Sequence, residues 1–131
     1  MKKIFLLALI VMCYLPACKK SEPVSPGLFG KWELRRRYGG LAGMDSIYKA
    51  GNGFIIQFNS DSTYSRYVKR KLANTGTFHI NTSTNPQANS VDEIYFDNAP
   101  YGDPFMLNGT KMTIGTVIAD GIAADYEKIG N

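Results

Sequence analysis

Gly53-Phe54-Ile55-Ile56-Gln57-Phe58-Asn59-Ser60-Asp61-Ser62-Thr63-Tyr64-Ser65-Arg66-Tyr67-Val68 decides the fold. Its first half alternates, so Phe54, Ile56 and Phe58 fall on one face of a strand. Asn59 to Ser62 is turn chemistry, with a left-handed position expected near Ser62. A bulged three-residue return carries Tyr64 onto the face of Phe58, and the same parity takes Arg66 and Val68 there. The unit is an antiparallel hairpin with one apolar face.

Outward from it, the chain from Leu28 onward repeats the pattern. Short segments rich in aromatic and β-branched residues are separated by Gly, Asn, Asp, Ser and Pro. Strands are expected at 29–38, 52–59, 63–71, 75–82, 91–97, 104–107, 111–117 and 123–129. No window sustains helical periodicity beyond a turn or two within 41–49. Asn108-Gly109 suits a type I′ turn. Residues 81–90 and 98–104 read as longer loops, and Asp120-Gly121 as a turn. Eight strands with short returns imply an all-β fold, an eight-stranded up-and-down antiparallel barrel, because closure removes exposed edges. Its expected lining is Trp32, Phe54, Ile56, Phe58, Tyr64, Arg66, Phe78, Ile80, Met112 and Ile114. Leu34 is the inward partner of Trp32, and Lys31, Glu33 and Arg35 are expected in solvent.

The residues before the barrel concern location. Lys2 and Lys3 precede the apolar run 4–14, and Leu15-Pro16-Ala17-Cys18 follows. The run is about half the roughly twenty residues that a spanning helix needs, which favours a cleaved export signal over a permanent anchor. Leu15–Cys18 resembles the lipobox of bacterial lipoproteins, which implies acylation of Cys18 after removal of residues 1–17. Loss of Lys2 and Lys3 would lower the formal charge from +4 to +2. It also discards Cys13, so that no disulfide can form. Residues 18–27, with Pro23 and Pro26, form a tether that at ~3 Å per residue reaches roughly 25 Å. The domain proper is then 28–131, enough for one core.

Gly30-Lys31-Trp32-Glu33-Leu34, Gln57-Phe58 with Asp61-Ser62-Thr63-Tyr64, Gly76-Thr77-Phe78-His79-Ile80 and Ala124-Asp125-Tyr126-Glu127-Lys128-Ile129 together resemble small bacterial lipocalin-like lipoproteins. The resemblance covers almost the whole domain. It implies a lipocalin-like barrel with Trp32 plugging the closed end. The mid-chain Thr-Asp-Tyr motif and the C-terminal helix of full-length lipocalins are missing.

The chemistry is sparse. One histidine and no thiol beyond Cys18 in the mature chain give no nucleophile–base pair. His79 alternates with Phe78 and Ile80 and is expected outside. Asp92, Glu93, Asp97, Asp103, Asp120 and Asp125 show no metal-ligand spacing. No catalytic residue, metal or cofactor is therefore expected. Arg35-Arg36-Arg37 and Lys69-Arg70-Lys71 read as outer-face charge, with polysaccharide or anionic lipid as the alternative partner. Nucleic acid is disfavoured by the tether and the small charge. Arg66 has three readings: solvent exposure, an internal pair with Glu93 or Asp125, or a contact with the carboxylate of a fatty-acid-like ligand.

The sixteen Phe, Tyr and Trp residues favour a binding barrel for a small apolar or amphipathic molecule. The expected protein is a non-enzymatic envelope lipoprotein, held at the outer membrane by lipid on Cys18 and facing the periplasm or the cell surface. The competing reading is a solid-core barrel whose loops, 38–53 above all, contact or inhibit an envelope protein. A cavity of ~300 Å³ or more separates the two.

Overall fold

The computed structural model describes residues 27–83 and 91–131. The expected signal segment 1–17, residues 18–26 of the expected tether, Cys18 included, and residues 84–90 lie outside the described residues.

The described chain is a closed antiparallel barrel. Its strands are β1 (Gly30–Gly39), β2 (Met44–Ile47), β3 (Ile55–Phe58), β4 (Thr63–Val68), β5 (Lys71–Asn81), β6 (Asp92–Phe96), β7 (Asp103–Asn108), β8 (Lys111–Gly115) and β9 (Ile122–Gly130). Neighbours pair in chain order from β3 to β9, and β9 pairs with β1 to close the ring. One edge of β1 is taken along its length by β9, so β2 and β3 share the other: β3 faces Gly30–Glu33 and β2 faces Arg36–Gly39. The ring thus has eight positions although nine strands are present.

The hairpin that suggested the fold forms as read. Phe58 pairs with Tyr64, Ile56 with Arg66, and Ser62 takes φ 65° in the return. Two other turns differ. The β4–β5 return lies at Lys69-Arg70, not at 72–74, with φ 51° and 67° at residues that have no glycine's freedom. The β7–β8 return is centred on Gly109-Thr110 with positive φ at Gly109 alone, the signature of a type II′ turn.

Residues 44–47, expected to be loop or a turn of helix, are strand β2. The reason is the unsatisfied edge of β1 above Glu33, which the returning chain covers. Between β2 and β3, residues 48–54 bulge outward opposite only Leu34 and Arg35. Asn52 bridges this excursion: its Nδ2 donates to the carbonyls of Leu34 (2.8 Å) and Lys49 (2.7 Å), and its Oδ1 accepts from Phe54 N (2.8 Å).

Glu33 corrects the expectation of a solvated side chain. It points outward, but the excursion covers it, leaving it 3% exposed. Its carboxylate accepts from Gly51 N (2.9 Å), Gly53 N (3.0 Å) and Arg35 Nη1 (2.6 Å). Burial by itself would raise its pKa, yet the hydrogen bonds from Gly53, Arg35 and Gly51 prevail and hold it below the ordinary carboxylate value. Gly53 has φ +77°, and a side chain there would meet Arg70 at the tip of the β4–β5 hairpin, whose backbone N donates to Gly53 O (3.0 Å).

One half of the barrel is solid. Trp32, Ile56, Phe58, Tyr64, Phe78, Ile94, Phe105 and Met112 pack as a single cluster, with Ile80 and Phe96 partly buried against it. Phe58 meets Phe78 edge-on at 4.8 Å, and Tyr64 meets Phe96 at 5.0 Å. Trp32 is completely buried, and its indole N–H donates to Leu28 O (2.7 Å). Lys128, on β9, donates to Gly27 O (2.8 Å) and lies over the Trp32 ring. The segment entering the domain is therefore pinned across this end.

Candidate functional site

The other end of the ring carries 40–43, Lys69-Arg70, 97–102 and 116–121, the connections of β1–β2, β4–β5, β6–β7 and β8–β9. Below them a pocket opens to solvent, with Arg37, Arg66, Val68 and Asp103 exposed along it. A cavity of about 390 Å³ is bounded by Leu34, Ile56, Ile114, Ala124 and Tyr126 on its inner walls. Arg37, Arg66 and Asp103 bring charge to the same space, and Phe54 stands at its side with Tyr48 packed edge-on at 5.6 Å.

Each of these side chains is aimed by its strand. Pairing of Trp32 with Ile56 and of Ile56 with Arg66 keeps β1, β3 and β4 in phase, which puts Arg66 on the cavity side of β4, where it is exposed to solvent at the open mouth. Ile114 pairs with Ala124, and Met112 with Tyr126, continuing that face through β8 and β9. Asp103 opposes inward-facing Ile94. β1 is different. A β-bulge falls between Leu34 and Arg36: Leu34 pairs with Tyr126, Arg36 with Asp125, and Arg35 is the extra residue.

The bulge reverses the faces beyond it. Strict alternation would send Arg36 inward with Leu34, whereas here Arg37, paired with Ala124, faces the cavity. Arg36 turns out and makes two hydrogen bonds to Asp45, at 2.8 and 2.9 Å. Arg35 is held outside by Glu33 (2.6 Å) and Glu127 (2.9 Å). The triple-arginine run is thus divided, and Arg37 departs from the uniform outer face expected of it. Lys69 and Arg70 occupy a turn instead of a strand face.

The expected lining separates into two groups. Phe54, Ile56, Arg66 and Ile114 reach the cavity. Trp32, Phe58, Tyr64, Phe78 and Met112 instead fill the close-packed half beneath it, with Ile80 against them. Cys18 lies outside the described residues. Arg37, Asp103, Ala124 and Tyr126 escaped the sequence reading. Parity along β9 would have found Ala124 and Tyr126, but the bulge that aims Arg37 leaves no local signal.

Neither acid expected as a partner for Arg66 takes that part. Glu93 accepts from the Tyr95 hydroxyl (2.7 Å), and Asp125 from Thr113 (2.8 Å) and Tyr38 (3.5 Å). The Arg66 guanidinium carbon sits 4.5 Å from the Phe96 ring centre and 5.1 Å from that of Tyr64. Burial raises the pKa of the Tyr126 phenol, while the charges of Arg66 and then Arg37 act to lower it. Tyr64 is closed into the wall below: its hydroxyl donates to Asp97 (3.0 Å) and accepts from Asn74 (3.2 Å).

His79 is exposed and stacks flat on Tyr95, 4.6 Å away, outside the ring. Among the described residues no three His, Cys, Asp or Glu side chains gather as metal ligands. No family model matches the chain, and neither a curated protein nor a solved structure matches it.

Proposed function

We propose that the protein is a non-enzymatic binding module of the bacterial envelope, tethered through lipid on Cys18, that takes a small amphipathic molecule into the open half of its barrel. The observation that carries this reading is a cavity of about 390 Å³ above a close-packed floor. That volume lies at the lower end of the ~300–1,000 Å³ usual for small-molecule sites. Aliphatic walls suit a short apolar body, and the charged mouth suits a polar end. The lipocalin-like resemblance of the sequence agrees with this use, and the lipobox-like Leu15–Cys18 supports the location.

The test is fluorescence titration of the Cys18→Ser chain, which carries no competing acyl group, with the neutral dye N-phenyl-1-naphthylamine. Saturable one-to-one enhancement is expected. Ala124→Trp, which places an indole in the cavity, should suppress it at least tenfold in affinity. Absence of enhancement in the parent, or undiminished binding in a folded Ala124→Trp variant, overturns the reading.

A second reading rests on the loops around the mouth. Leu41 is 89% exposed, Tyr101 84% and Ile118 77%, all at the cavity end. A protein partner covering that rim would use them, and triple substitution to serine would then abolish its capture while leaving dye binding intact.

A further inference from the structure

We infer that Arg37 and Arg66 together form a head-group subsite for a single anionic group, a carboxylate or a phosphate monoester, carried by an amphiphile whose tail occupies the cavity. This inference rests on the binding reading above and adds the chemical class of the ligand. Three observations on independent elements support it.

First, two arginines from different strands line the same pocket and are both exposed at its mouth. Arg66 arrives from β4 by ordinary alternation, and Arg37 from β1 through the bulge at Arg35. Had β1 continued without the bulge, Arg37 would lie outside. Second, the two arginines that precede Arg37 are neutralised by acids. Arg35 pairs with Glu33 and Glu127, and Arg36 with Asp45. Arg37 and Arg66 take no part in these pairs, and both are exposed at the mouth. Arg66 rests on the Phe96 and Tyr64 rings, which anchors its charged end while its N–H groups stay available to acceptors. Third, the charge balance at the cavity wall is positive. Asp103 contributes one carboxylate against two guanidinium groups, and at Tyr126 its effect ranks behind those of Arg66 and Arg37.

A forked cation matches two acceptor oxygens on one atom, which carboxylate and phosphate both present. A second guanidinium on a neighbouring wall discriminates against a neutral alcohol of the same length. The aliphatic side chains of Leu34, Ile56 and Ile114 then receive the chain beneath the head group.

The experiment compares dodecanol, dodecanoate and dodecyl phosphate, each below its micelle concentration, by calorimetric titration of the Cys18→Ser chain. Both anions should bind at least ~10-fold tighter than dodecanol, the scale of one charge-assisted hydrogen bond. The tighter of the two identifies the head group. Arg37→Met and Arg66→Met should each reduce the ratio of anion to dodecanol affinity several-fold in variants that melt cooperatively, and the double variant should abolish it. Asp103→Asn should tighten both anions. Equal binding of dodecanol and the anions, or a preference that survives in the folded double Met variant, overturns the subsite but leaves the cavity reading in place. Failure of all three probes to bind overturns both.

Discussion

At the residue scale, Glu33 shows how one buried carboxylate organises a wall. It receives two backbone N–H groups from the 48–54 excursion and the guanidinium of Arg35. Those donors are what hold its pKa down against burial, so the sign of its pH effect follows. Its contribution is fully present above the unfolded-state value of about 4.3 and is lost as pH falls through the lower folded value. Glu33→Gln keeps the shape but surrenders the charge-assisted bonds, at a cost of roughly 1.5–3 kcal/mol near neutrality. Urea titrations at pH 7 and at pH 3 should show that difference shrinking at the lower pH. An equal loss at both would mean the carboxylate charge contributes nothing. Gly76 is a second sensitive residue, since a methyl there would meet the Asp97 carboxylate and the Tyr64 ring. Gly76→Ala should therefore separate the Tyr64–Asp97 bond and lower the melting temperature.

At the scale of elements, the deciding features are places where a strand departs from regularity. The bulge at Arg35 rotates everything above it, and Glu33 and Glu127 fix the displaced side chain outside. Deleting Arg35 removes the extra residue and leaves Leu34, Arg36 and Arg37 in regular in–out–in alternation against Tyr126, Asp125 and Ala124, so Arg37 should keep its inward face. The anion preference should then still depend on Arg37, and titration of the deletion with and without Arg37→Met measures this. The β4–β5 turn is a second irregularity. Lys69 sits at φ 51° without glycine's freedom, at a cost of about 1 kcal/mol. Lys69→Asn, better suited to the left-handed region, should raise stability by roughly 0.5–1 kcal/mol in thermal melts. Arg70 is left in place because its backbone and guanidinium both bond the excursion, at Gly53 O and Gly51 O.

At the scale of the whole molecule, the barrel divides into a packed floor and a hollow mouth, and the two should respond differently to perturbation. Trp32, the chain's single tryptophan, lies wholly within the floor, so its emission reports global unfolding. Ile94→Ala, at a completely buried position, should cost about 2–5 kcal/mol and shift the Trp32 transition together with the far-ultraviolet signal. Ile114→Ala, beside the cavity, already faces empty space and should cost less while enlarging the site. Equal destabilisation by the two would contradict the division into halves. Closure also has a consequence for function. Because β9 returns to β1, the ring presents the cavity walls without a free seam at that junction, and the floor holds them in register.

Alternation and turn chemistry by themselves determined eight of the nine strands, the antiparallel order and the placement of Trp32, Phe58 and Tyr64 toward the interior. Those properties are local: side-chain direction has a period of two, and Ser62 or Gly109 marks a return within a few residues. Only the tertiary structure decided that the barrel is half filled, that residues 44–47 are a strand, that Glu33 is covered and that Arg37 points inward. Each of these depends on what another segment supplies. The free edge of β1 makes β2, the 48–54 excursion buries Glu33, and the pairing of β1 with β9 inserts the bulge that turns Arg37. A run of three arginines carries no mark of where alternation will slip, because the slip is fixed by a partner strand some ninety residues away.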